Sequence, residues 1–247
     1  MQFVLIFLTA ALATILSSMS GGGSSIIALP IFLSMGIEFP VATVMQKVSA
    51  CFWVLPSAFN YLKGRKVDWA FVAIFSLVGL VGAYFGVLSV INLDQRILKT
   101  IVGWFIVILV VHIYFKEEAG SPKEFIRSKS KEIVSYILAL PMGFYESILG
   151  SGNGIIFATV SLYAKGFDFI SALGYYFMVA FSWVVLATVV LVGKGFFSWG
   201  LVVPAVLGSL AGGYAGSRFA RFKGNKFIKI VFVVVGGFLG IKLIFGF

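Results

Sequence analysis

The chain is 247 residues long, 60% hydrophobic and only 11% charged, with a mean hydropathy of +1.07. Soluble domains sit near roughly 45–50% apolar and about 25% charged, so a cytosolic enzyme, a secreted disulfide scaffold and a disordered chain are excluded. What remains is a polytopic membrane protein. The net charge of +10 comes from 19 basic and 9 acidic residues. In a soluble protein it would suggest nucleic acid, but here the basic residues lie mostly between apolar runs, where they set membrane orientation. No nucleic-acid partner is expected.

Apolar runs punctuated by Gly, Pro and charge fall at about 2–19, 24–35, 42–62, 69–91, 97–115, 132–149, 154–165, 171–193, 198–217 and 227–246. Most can cross a hydrocarbon core of about 30 Å. Runs 24–35 and 154–165 are too short, covering only about 18 Å as helix. Each follows a glycine-rich break, Ser20-Gly21-Gly22-Gly23 and Gly150-Ser151-Gly152-Asn153-Gly154. Ala11-Leu12-Ala13 has the look of a cleavage site, but no basic residue precedes it, so the first run is read as retained.

Sliding the sequence on itself by 130 residues aligns the halves without a gap. Trp53 falls on Trp183, Trp69 on Trp199, and Gly82, Tyr84 and Gly86 fall on Gly212, Tyr214 and Gly216. The reading is an all-α membrane protein of about ten transmembrane or half-spanning helices: a first five-helix repeat over 1–115, a polar linker over 116–131 and a second repeat over 132–247. If every segment changes side, loops 62–68, 116–131, 165–170 and 218–229 share one face and hold 14 basic residues, against 4 opposite. That face is expected in the cytoplasm, with both termini outside. Five segments per half is an odd number, so the second repeat is inverted, and inverted repeats with broken helices point to a secondary transporter with a midplane site.

Several stretches carry a resemblance: the two glycine-rich breaks, Gln46-Lys47-Val48, Tyr61-Leu62-Lys63-Gly64-Arg65-Lys66-Val67-Asp68-Trp69, Gly82-Ala83-Tyr84-Phe85-Gly86 and Gly143-Phe144-Tyr145-Glu146. In them the chain resembles the sulfite exporter family TauE/SafE over nearly its whole length. The resemblance implies export of a small anion such as sulfite, a sulfonate or sulfoacetate across the cytoplasmic (inner) membrane of a prokaryote. Family members commonly carry Asp where Glu146 stands, and Pro and Thr where Ser151 and Asn153 stand.

The candidate site follows from membrane physics. A half-helix starting at depth offers unpaired N–H groups and a positive dipole end to an anion. Substrate contacts are therefore expected from Gly22, Gly23, Ser24 and Ser25 at the first break, and from Ser151, Gly152, Asn153 and Gly154 at the second. Lys47, beside Gln46, is the only basic residue well inside a long apolar run. A charge there costs at least about 2.5–3.5 kcal/mol on insertion scales, which makes it a functional residue by default. Glu146, four residues before the second break, is the candidate for proton coupling or for holding Lys47. The Gly-x-x-x-Gly pairs are read as packing surfaces, not binding sites.

Cys51 and His112 are the only residues of their kinds, so no disulfide, metal site, cofactor or catalytic set is expected. Expected partners are a small anionic substrate and the lipid bilayer, with a homodimer left open. The rival readings are an anion channel, a transporter of a different small organic anion, a membrane-embedded enzyme and a scaffold subunit. The enzyme would need an acid–base or nucleophile constellation that one His and one Cys do not supply.

Overall fold

In a computed structural model that describes residues 2–89, 95–115 and 128–246, the chain forms ten α-helices, with no strand among the described residues. They are α1 (Gln2–Ser20), α2 (Ser24–Ser34), α3 (Phe39–Leu62), α4 (Trp69–Ser89), α5 (Gln95–Phe115), α6 (Lys129–Ile148), α7 (Asn153–Lys165), α8 (Phe169–Val192), α9 (Trp199–Lys223) and α10 (Asn225–Phe245). Linker residues 116–127 and the side chains of Arg96 and Lys99 lie outside the described residues. Helices α1, α4, α8, α9 and α10 are long and apolar enough to cross a membrane. Large apolar side chains stand exposed along the outer faces, among them Leu12, Leu77, Ile101, Ile108, Ile137, Val189 and Val234. Water would not tolerate so continuous a surface, and lipid covers it.

Both short helices fold back as hairpins. In α1–α2, Ile6 near the start of α1 and Phe32 near the end of α2 are buried in one apolar cluster with Ile37 and Val202. In α6–α7, the last residue of α7, Lys165, pairs with Glu132 in the first turn of α6 at 2.6 Å. Antiparallel α3 and α8 separate the two ends. Arg65 after α3 meets Asp168 before α8, while Val44 near the start of α3 packs with Leu191 near the end of α8. The α1–α2 hairpin therefore enters from the face where α3 begins, and α6–α7 from the face where α3 ends.

The hairpin tips meet inside the molecule. Gly21, Gly22 and Gly23 have φ of 73, 124 and 121°, a run of left-handed backbone that only glycine sustains cheaply. It lets the chain turn so tightly that the Gly154 amide donates to the Gly21 carbonyl at 2.7 Å.

Exchanging the first five helices for the last five maps the main packing pairs onto one another. Helix α1 packs on α9 as α6 packs on α4, and α3–α8 and α5–α10 are each their own counterparts. The Gly-x-x-x-Gly pairs make these contacts: Gly82 and Gly86 lie on the α6 carbonyls of Leu140 and Phe144, and Gly212 and Gly216 on the α1 carbonyls of Ala11 and Ile15. Trp183 packs over Gly79 and donates to the Ser76 carbonyl at 3.0 Å, while Trp53 packs over Gly213. Trp69 and Trp199 stand exposed at the starts of α4 and α9.

One expected loop is not a loop. Residues 218–223 continue α9, and the turn to α10 is Gly224 alone, at φ 84°. Nothing in Arg218–Lys223 breaks a helix, and the basic residues suit the negative end of its dipole.

Candidate functional site

The second break ends α6 with several carbonyls lacking intrahelical partners. Gly150 donates to Tyr145 O at 3.0 Å, which leaves the Glu146 carbonyl open. Lys47 fills it from α3, with Nζ 2.5 Å from Glu146 O. Ser25 Oγ likewise donates to Leu149 O at 3.1 Å and contacts Ser151 Oγ at 2.7 Å. A cation at the C-terminal end of a helix gains from the dipole, which is how Lys47 is kept buried inside an apolar bundle.

The Glu146 side chain is held separately. Its Oε2 accepts from Asn153 Nδ2 at 2.7 Å and from the Tyr176 hydroxyl at 2.8 Å. Asn153 also donates to Met142 O at 3.1 Å, so it fastens the carboxylate to its own helix. Among the described residues Oε1 has no hydrogen-bond partner, and the Lys47 ammonium makes no ion pair with the carboxylate. The expectation that Glu146 could hold Lys47 is met through the main chain instead.

A cavity of about 410 Å³ lies beside this pair. Gly22, Gly23, Ser24, Ser25, Gln46, Lys47 and Glu146 line it, and it runs outward past Leu33, Phe39, Lys242 and Gly246, to the face where α2 and α10 end and α3 begins. Ser151, Gly152, Asn153 and Gly154 are fully buried behind the wall and do not line it. Most of their polar groups are engaged within the protein, although Asn153 Oδ1 is buried without a hydrogen-bond partner among the described residues. The Asn153 amide donates to Gly150 O at 3.2 Å, Gly154 to Gly21 O at 2.7 Å and Ile155 to Gly152 O at 3.0 Å.

The two half-helix ends therefore differ. The amides that open α7 are used up by backbone, whereas those of Ser24 and Ser25 at the start of α2 meet no acceptor among the described residues. Gly23 precedes them with no capping side chain. An anion in the cavity would find the positive end of α2, the Lys47 ammonium and the Ser24 and Ser25 hydroxyl region together.

Three further residues belong to this region and carry no distinctive sequence signal. Ser17 lines the cavity with a buried, unpartnered Oγ. Tyr176 reads as one more aromatic in an apolar helix, and Lys242 as a loop-end charge; the first braces Glu146 and the second lines the cavity toward its mouth. Cys51 contacts Thr188 Oγ1 at 3.3 Å, and His112 pairs with the Tyr163 hydroxyl. Among the described residues no three His, Cys, Asp or Glu gather in a metal-binding group.

Comparison with known proteins agrees with this architecture. A probable membrane transporter protein, ORF9, from Sinorhizobium is 27% identical over 97% of this chain and 91% of its own length. A probable membrane transporter protein of Haemophilus influenzae is 21% identical over 98% of the chain and 94% of its own length. The probable membrane transporter protein YfcA of Escherichia coli K12 is 23% identical, covering 97% and 88%. No solved structure matches. The family model described as sulfite exporter TauE/SafE matches residues 6–243, so with its ten helices and lipid-facing surface the chain belongs to the TauE/SafE family of multi-pass membrane transporters.

Proposed function

We propose that the protein is a secondary transporter that exports a small anion, an oxidised sulfur species such as sulfite or a sulfonate, by alternating access. The observation that carries this reading is Lys47: a buried ammonium beside the uncapped start of α2, at the inner end of a cavity that reaches one face. Such a site favours an anion and repels cations. With the basic linker in the cytoplasm and both termini outside, the mouth faces outward, in the inner membrane of a prokaryote. The exchangeable packing of the two halves supports reading them as inverted repeats that rock about the tip contact.

A membrane potential, negative inside, favours anion exit by about 2.3 kcal/mol per charge per 100 mV, so export needs no coupling ion. Glu146 Oε1 is the atom at which a proton would couple. Sulfite efflux from proteoliposomes under an imposed potential tests the reading. Wild type should release the anion and Lys47→Met should not. Efflux that is equal in both would remove Lys47 from the site, and resolvable single-channel currents would replace alternating access with a channel.

A further inference from the structure

The cavity reaches one face, and on the opposite face two charged clusters tie the helix ends together. In the first, Lys165 closes α7 with its side chain only 4% exposed, its ammonium 3.0 Å from Asp68 Oδ2 and 2.6 Å from Glu132 Oε1. Asp68 accepts from the Phe71 amide at 3.0 Å in the first turn of α4, and Glu132 lies in the first turn of α6. In the second, Arg65 donates to Asp168 Oδ1 at 2.8 Å, and the other carboxylate oxygen accepts from Asn225 Nδ2 at 3.2 Å. Asp168 caps α8 through the Ser171 amide at 2.8 Å, and Asn225 opens α10. Together they join the starts of α4, α6, α8 and α10 to the ends of α3 and α7.

Among the described residues the mouth face shows no equivalent. In the 130-residue register Arg65 falls on Gly195, Asp68 on Ser198, Glu132 on Gln2 and Lys165 on Met35. Only Asp168 falls on an acid, Glu38, and that residue is exposed. That face is held by apolar contacts among Ile6, Phe32, Ile37 and Val202 instead. Among the described residues the charged fastening therefore stands at one end of the molecule, and that end is the one the cavity does not reach.

Helix α7 connects the two places. Its first turn packs on Gly21 at the hairpin tips, and its last residue is Lys165. A 13-residue helix is a rigid rod of about 20 Å, so a shift of the tips moves the ammonium relative to Asp68 and Glu132. Each cluster pairs one buried charge, Lys165 or Asp168, with part-exposed partners, an arrangement that suits a two-state latch because separating them strands the buried charge unless water enters.

We propose that the Lys165–Asp68–Glu132 and Arg65–Asp168–Asn225 clusters form a lock that shuts the second access route to the Lys47 cavity, and that both must open for the anion to pass. The proposal rests on the alternating-access reading, yet its test needs no solute. In a Cys51→Ala background, Ala50→Cys puts a lone thiol on the cavity wall. Vesicles of either orientation are treated with a membrane-impermeant maleimide. The parent should label from the mouth side only. Lys165→Met and Arg65→Gln should each raise labelling from the lock side by about tenfold or more, a shift of about 1.4 kcal/mol in the closed–open balance, with mouth-side labelling kept. Arg65→Lys should stay near the parent rate. Lock-side labelling unchanged in both variants overturns the lock while leaving the cavity reading intact. A parent that does not label from the mouth side overturns the cavity reading underneath it.

Discussion

The Lys47 ammonium sits 2.5 Å from the main-chain carbonyl of Glu146, while the carboxylate of the same residue is held by Asn153 and Tyr176. One residue thus anchors the buried cation through its backbone and presents an acid through its side chain. The two charges share a site without neutralising each other by direct contact. In the proposed reading an acid can stand beside an anion because the cation is fixed by a helix end and not by the carboxylate.

Lys47→Met should remove anion binding and also strand the Glu146 carbonyl. A buried acceptor left unsatisfied costs about 1–3 kcal/mol, so a lower melting temperature should accompany the loss of efflux. Thermal unfolding in detergent, with and without anion, separates the effects: wild type should be stabilised by the anion and the variant should not.

Glu146→Gln keeps an oxygen for Tyr176 and for Asn153, so the fold should persist. If Oε1 carries the coupled proton, flux at fixed potential should lose its response to a pH gradient. An unchanged response in the variant would rule out coupling through Glu146.

Packing glycines should be sorted by what a methyl group would meet. At Gly82 it would collide with the Leu140 carbonyl, whereas at Gly200 there is open space. Gly82→Ala should destabilise by at least about 1–3 kcal/mol, and Gly200→Ala should be neutral or slightly stabilising because alanine is the better helix former. Equal melting temperatures would contradict the close α4–α6 packing.

Asp168, outside the spans, predicts an acid limit for the fastened face. Burial pushes its pKa up, but hydrogen bonds from Ser171, Arg65 and Asn225 outweigh burial and hold it below the ordinary carboxylate range. A depressed folded-state pKa gives stability that is fully present above the unfolded value, near about 4, and lost as pH falls through the lowered value. The melting temperature of wild type should therefore drop more steeply on acidification below that range than that of Asp168→Asn.

Much of this protein is written in its one-dimensional pattern. Apolar runs fix helices because lipid allows no unpaired backbone, and the 130-residue register pairs Trp53 with Trp183 and Gly82 with Gly212. The short runs 24–35 and 154–165 became α2 and α7. The Gly-x-x-x-Gly pairs proved to be the α1–α9 and α4–α6 contacts, since only an absent side chain lets two helix backbones approach so closely. Lys47 stood out because a lone charge in an apolar run is expensive.

Tertiary structure decided what distance in sequence conceals. That the α7 amides are consumed while those of Ser24 and Ser25 stay open depends on Gly154 reaching Gly21, across the whole polar linker. The division of Glu146 into an anchoring carbonyl and a braced carboxylate depends on Lys47, Asn153 and Tyr176 arriving from three helices. Lys165 looked like one basic loop charge, and only folding set it between Asp68 and Glu132. Hydropathy is a local sum along the chain and can mark where a charge is costly, but which groups meet that cost is settled by helices that pack far apart in sequence.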